Sequence, residues 1–220
     1  YGLVGSEMCI RDRVRPEVTL AREAGLKIGE MGGVWVDEYM RTSDVDVFAI
    51  GDCAEKFSFF TKKPTNVRLA SIAAREARIV AANLTQLKVK NPGVIGCFAT
   101  TIGDLGLGAT GLIERAAREA GFDVIVGTGA TTDKHPGAMP GAKNLKVKLV
   151  FDKRSRTIIG GEVAGGATTA ELMNMISIMI ERKMNVEEIV FSQYGTHPAL
   201  TASPRTHPIA YAAEEALLKA

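Results

Sequence analysis

Between residues 45 and 50 the chain carries a short apolar run in which Val45, Val47, Phe48, Ala49 and Ile50 are interrupted only by Asp46. The run is too short for an ordinary helix and rich in β-branched and aromatic residues. It predicts a buried strand, entered by a turn at Thr42-Ser43-Asp44 and left through a Gly51-Asp52 corner. Upstream, Val18, Leu20, Ala21, Ala24 and Leu26 recur at helical spacing. Arg15-Pro16 opens that helix and Gly25 stops it. Gly32-Gly33 predicts a turn, and Val34-Trp35-Val36 a short strand. Downstream, residues 53–65 read as a loop holding Phe57, Phe59 and Phe60, with a turn at Lys63-Pro64. Asn66 is placed to cap a helix reaching Leu84, with Leu69, Ile72, Ala73, Ala77, Val80 and Ala81 on its packed face.

The texture changes at Asn91-Pro92-Gly93, which marks a boundary. Residues 96–102 and 105–110 predict strands, 111–120 a helix closed by Gly121, and 122–127 another strand. A Pro- and Gly-broken loop covers 133–142. In residues 145–151 apolar positions alternate with Lys146 and Lys148, the pattern of a half-buried antiparallel strand. A charged turn at 152–156 leads to a returning strand at 157–165. Residues 169–183 form a helix apolar on more than one face, so it should meet a second surface besides its own sheet. Short helices follow at 186–191 and 209–218.

Composition narrows the function classes. The chain has 220 residues, 46% hydrophobic and 24% charged, with a formal net charge of +2 and Lys and Arg scattered among the acids. That is the balance of a soluble globular protein of one or two domains. It offers no basic stripe for nucleic acid and no polybasic membrane anchor. No apolar run reaches the length of a spanning helix, and a reducing cytoplasm is the expected setting. Cys9, Cys53 and Cys97 are too dispersed for a disulfide framework or a zinc site, and the three histidines lack acidic partners at ligand spacing, so no metal is expected.

The chemistry concentrates at the Gly51-Asp52 corner. Ligands of open α/β sheets bind beyond the carboxyl ends of the strands, and an ionised aspartate only accepts hydrogen bonds, which suits a chain of hydroxyls. The string 42–52, continued by Cys53-Ala54-Glu55, resembles the second flavin-binding motif of the pyridine nucleotide-disulfide oxidoreductases. The resemblance implies that Asp52, beside Gly51, holds the ribityl side of FAD. It also implies that the helix opened by Arg68-Leu69-Ala70-Ser71 turns backbone N–H groups, at Leu69 and Ala70, toward the flavin pyrimidine, where a partly positive helix end stabilises negative charge.

The resemblance extends over residues 14–220. Residues 14–33 correspond to the end of the NAD-binding domain, 34–92 to the C-terminal segment of a Rossmann-like FAD domain, and 93–220 to an α+β dimerisation domain with an antiparallel sheet and helices. The strings 110–114, 120–123, 140–142, 146–152 and 159–165 carry the last assignment by their order. The implied fold class is therefore α/β followed by α+β. Residues 1–13 resemble translated sequencing-adaptor read-through, which would make the chain a C-terminal piece. The implied protein is a homodimeric FAD-dependent enzyme that takes hydride from NAD(P)H and reduces a disulfide, polysulfide, coenzyme A disulfide or dioxygen, closest to the NADH oxidase and coenzyme A-disulfide reductase branch. In the tail, His197-Pro198 resembles the family's acid-base histidine, and Tyr194 the tyrosine that some members use instead. The glutamate expected to orient the histidine is missing, with Ala202 and Ser203 in its place. His207 is expected to be structural and His135 to lie at the surface. The glycine-rich nucleotide cradles and the redox cysteine would lie upstream. Two alternatives stand beside this reading: a dimerisation module without activity, and a flavin reductase serving a small electron-carrier protein.

Overall fold

The computed structural model describes residues 14–220, so the adaptor-like segment and Cys9 fall outside the described residues. The chain divides into two compact units, one ending at Ile95 and one beginning at Gly96.

In the first unit, α1 (Thr19–Glu23) is a short helix that ends where Gly25 adopts a φ of +74°, a left-handed conformation that glycine reaches without steric cost. Val34 forms a parallel bridge to Ala54. Its N–H donates to the Cys53 carbonyl (2.7 Å), and the Glu55 N–H donates to the Val34 carbonyl (2.8 Å). The expected strand at 45–50 is instead a turn at Val45-Asp46 followed by a short segment with one antiparallel bridge, Phe48 to Arg41. Its main-chain bonds run to Met40, Thr42 and Asp44. Ala49 is buried in a core with Val34, Val36, Met40, Ala54 and Ile79, and Phe48 packs against it, while Val45 and Val47 stay 65% and 39% exposed. A strand needs a neighbour along its edge to close its ladder, and among the described residues this one has only a turn-length partner.

The loop after the corner contains a small hairpin, β1 (Lys56–Phe57) paired with β2 (Pro64–Thr65). The next helix, α2 (Ala70–Asn83), begins later than its sequence suggests. Asn66 accepts a hydrogen bond from Arg68 rather than capping the helix, and the N-cap position belongs to an extended Leu69 with no side-chain cap. Its buried face is also rotated. Ile72, Glu76, Ile79 and Asn83 are buried, whereas Ala77 and Ala81 are exposed. Polar partners turn the helix: Asn83 Oδ1 accepts the N–H groups of Lys88 and Val89 (both 2.9 Å), and Glu76 reaches the Gly51-Asp52 corner. Side chains that satisfy buried backbone groups outweigh a row of alanines.

The second unit is a two-layer α/β structure. Strands β3 (Cys97–Ile102), β4 (Leu105–Gly111), β5 (Val124–Thr132), β6 (Asn144–Asp152) and β7 (Ile158–Gly165) form one antiparallel sheet in the order β3-β4-β7-β6-β5. Between β4 and β5 lies α3 (Glu114–Glu119); α4 (Thr169–Glu181), α5 (Val186–Val190) and α6 (Pro208–Leu217) follow the sheet. Ladder partners share a face, so Ala99, Gly108, Val163, Val147 and Gly129 form one row across the sheet. Helices α4 and α6 lie on that face. A Cβ on Gly108 would stand 2.8 Å from Met173 Sδ of α4, and one on Gly127 or Gly129 would meet the Ala212 or Pro208 carbonyl of α6 at 1.8 and 2.4 Å. The opposite face carries Phe98, Ala109, Glu162 and Lys148, with Lys148 paired to Glu114 (2.8 Å) and Glu162 (3.6 Å). In β6, Leu145, Val147, Leu149 and Phe151 are buried while Lys146 is exposed. Helix α4 buries Leu172, Met173, Ile176, Met179 and Ile180 against the sheet and leaves Ile178 59% exposed.

Candidate functional site

The corner of the first unit is a single 3-10 turn, Gly51–Cys53, on which several independent bonds converge. Gly51 has a φ of +69°, and Ala73 of α2 is the nearest group to the place where its Cβ would sit, at 3.6 Å. The Gly51 N–H donates to Glu76 Oε2 (2.8 Å), and its carbonyl accepts from the Lys56 ammonium and from the Ala54 N–H (3.2 Å). Lys56 and Glu76 also pair with each other at 2.7 Å, both side chains 1% exposed. The next carbonyl, that of Asp52, accepts from Arg68 Nε (3.1 Å). Asp52 itself is exposed, and its carboxylate forms no hydrogen bond to another described residue. A rigid backbone thus presents an unengaged carboxylate beside the uncapped start of α2. Gly51, Asp52, Leu69 and Ala70, which the sequence singles out, come together here.

Sequence reading missed Lys56, Glu76 and Glu55. Glu55 is buried and accepts the N–H groups of Met31 (2.8 Å) and Gly33 (3.0 Å), tying the upstream turn to the corner. The available signals were faint: a Glu55-Lys56 pair directly behind the Gly-Asp string, and one acid on the stripe between Ile72 and Ile79.

The tail residues lie in the second unit. His197 is exposed on the loop after α5; its N–H donates to Thr201 Oγ1 (3.0 Å), and its Nδ1 accepts from the Ala199 N–H (3.2 Å). That acceptor role places the proton of a neutral ring on Nε2. Tyr194 differs. Its hydroxyl donates to the Ile189 carbonyl (2.8 Å), its ring stacks on His207 with centroids 4.1 Å apart, and burial pushes its pKa up to about 12. His207 is 5% exposed, and burial pulls its pKa down to about 4, so the ring stays neutral. His207 lines a cavity of about 230 Å³ with Asp133, Thr168, Leu172, Leu200 and Thr201. His135 is not the surface residue expected. It is half-buried, with Nδ1 against the Thr201 carbonyl (3.0 Å) and its N–H on the Pro198 carbonyl (3.0 Å), so it staples the tail loop.

Among the described residues no group of three or more potential metal ligands gathers, and Cys53 and Cys97 are unpaired thiols. No described helix is long and apolar enough to cross a membrane.

Comparison with known proteins matches residues 97–208 to the dimerisation domain of pyridine nucleotide-disulphide oxidoreductases and residues 13–77 to the pyridine nucleotide-disulphide oxidoreductase domain. The chain is 31% identical over 206 residues to an NADH oxidase of Methanocaldococcus jannaschii, covering 94% of this chain and 45% of that protein. It is also 31% identical to a CoA-dependent NAD(P)H sulfur oxidoreductase of Pyrococcus furiosus, over 84% of this chain and 41% of the relative. A solved NAD-dependent persulfide reductase from A. fulgidus superposes with a TM-score of 0.84 at 32% identity, over 93% of this chain and 37% of that one. The chain therefore spans less than half the length of each of these relatives.

Proposed function

The chain belongs to the pyridine nucleotide-disulphide oxidoreductases, and from that premise we propose that it supplies a flavin-facing segment and the dimerisation unit of an FAD-dependent NAD(P)H oxidoreductase. Residues 14–33 close its NAD-binding domain, 34–92 belong to its FAD domain, and 93–220 join two copies into a homodimer. The observation that carries this reading is the exposed, unengaged Asp52 carboxylate on a backbone fixed beside the uncapped start of α2. These residues suit FAD: Asp52 would accept hydrogen bonds from a polyhydroxyl chain, Gly51 would permit close approach, and the positive end of α2 at Leu69 and Ala70 would stabilise negative charge on an electron-rich ring. When bound, FAD supplies the redox chemistry between NAD(P)H and the acceptor. The acceptor class is a disulfide, polysulfide, coenzyme A disulfide or dioxygen, supported by relatives named as NADH oxidase and NAD(P)H sulfur oxidoreductase.

Of the two tail candidates, we assign proton transfer to His197. Its ring is exposed and carries the proton of its neutral form on Nε2, whereas the Tyr194 hydroxyl is engaged and pushed up to about 12, far from the range of an efficient acid-base group at neutral pH.

The test is flavin retention. The chain is mixed with FAD, gel-filtered and read by absorbance. Protein-bound flavin in the wild type, at least about tenfold weaker in Asp52→Ala, supports the assignment, since a charge-assisted hydrogen bond contributes roughly 1.5–3 kcal/mol. A flavin-free peak of dimeric mass favours the second reading, a dimerisation module without activity, which the 45% coverage of the Methanocaldococcus relative also supports.

A further inference from the structure

The buried Lys56–Glu76 pair has a use that stability does not explain. Taking two charges out of water costs more than their attraction commonly returns, and a well-packed apolar pair of similar volume is often as stable. Here the pair is imperfect even as an ion pair, because Glu76 Oε1 is buried without a partner while Oε2 takes two donors. What an apolar pair could not do is hold the two peptide groups that flank a single residue. Oε2 of Glu76 receives the Gly51 N–H, and the Lys56 ammonium donates to the Gly51 carbonyl. Both groups belong to a residue in a left-handed conformation (φ +69°), immediately before Asp52. Glu76 comes from the buried stripe of α2, 25 residues away, and Lys56 from β1, five residues on, so the corner is set by two separate elements.

We propose that Lys56 and Glu76 are positioning residues for Asp52: they fix the two peptide groups flanking Gly51, so that the backbone carrying the Asp52 carboxylate holds one conformation toward the ligand. The flavin part of this inference rests on the function proposed above; the orientation of the corner does not. Arg68 extends the same logic to the following carbonyl. The carboxylate is then preorganised, and a ligand does not have to order it on binding.

The test compares the full chain with two variants. In Lys56→Met/Glu76→Leu the pair becomes apolar, which keeps the unit folded without stranding a single charge. In Asn83→Ala the same unit is weakened away from the corner, where Asn83 holds Lys88 and Val89. Amide hydrogen exchange at Gly51 and Asp52 is read by NMR, alongside melting temperature and FAD fluorescence quenching. The expected result for the double variant is a folded chain whose melting temperature falls no further than that of Asn83→Ala, with Gly51 exchange faster by about tenfold or more and FAD affinity lower by a similar factor. Asn83→Ala should lower the melting temperature while changing neither corner exchange nor FAD affinity. Unchanged Gly51 and Asp52 exchange in a folded double variant overturns the inference. If the wild-type chain itself fails to quench FAD, the flavin reading fails for this chain, and the exchange data still decide whether the pair positions the corner. Should the double variant not fold, the single Glu76→Gln replaces it; that side chain can still accept the Gly51 N–H, so exchange and FAD affinity should fall between wild type and loss. Exchange and affinity equal to wild type there count against the proposal.

Discussion

At the residue scale, the buried polar groups decide more than the exposed ones. His207 has its pKa pulled from 6.5 to about 4 by burial, so its folded form resists the proton that the unfolded chain accepts. Stability from this group is complete above pH 6.5, falls as pH drops, and is lost on passing about pH 4. The full effect is of order 3 kcal/mol. Urea midpoints between pH 7.5 and 4 should fall for the wild type more steeply than for His207→Phe, which keeps the stack on Tyr194; parallel slopes would show that His207 does not titrate this way. Glu55 offers a second case. Its carboxylate satisfies two main-chain donors inside the first unit, so Glu55→Ala strands both, and a loss of about 2–4 kcal/mol in urea unfolding is expected. A change below about 0.5 kcal/mol would mean that water replaces the carboxylate there.

At the element scale, helices meet strands over glycine. Gly127 lies under α6, where an added methyl would collide with the Ala212 carbonyl, whereas Gly121 has open space around it but a φ of +88°. The two substitutions to alanine separate packing from backbone conformation. Gly127→Ala should destabilise the second unit by about 2–4 kcal/mol, because the helix must lift off the strand. Gly121→Ala should cost only about 1 kcal/mol, the ordinary price of a left-handed non-glycine residue. Equal losses in thermal or urea unfolding would refute the packing account. Secondary structure of this unit was largely legible, since β3, β4, β6, β7 and α4 all carry their periodicity openly. The helix stripe of α2 was misread because alanine is apolar but small. The buried positions Glu76 and Asn83 are polar, and their partners sit up to 44 residues away.

At the scale of the whole molecule, the exposed apolar residues of the second unit carry weight. Phe98, Ile102 and Leu105 on β3 and β4, and Ile178 on α4, are 49%, 68%, 48% and 59% exposed. Phe98 and Ile178 lie on opposite sides of the sheet, so apolar surface is left on both, and residues 97–208 match a dimerisation domain. Light scattering should therefore give a mass near twice 23.5 kDa, and a mass of 23.5 kDa at micromolar concentration would count against the homodimer.

The sequence by itself determined the class of each unit and, in the second unit, the order of the strands and helices, while the Gly51-Asp52 corner stood out as a string rather than as a geometry. Those features reside in local periodicity and in short strings, which neighbouring residues are enough to specify. Only the tertiary structure decided which face of α2 is buried, that Lys56 and Glu76 clamp Gly51, and that Tyr194 is locked against His207 while His197 stays open. These outcomes depend on where buried groups find their partners, across separations from 5 to 44 residues of chain. No local pattern encodes such pairings, because each partner is chosen by the fold that brings it within hydrogen-bond reach.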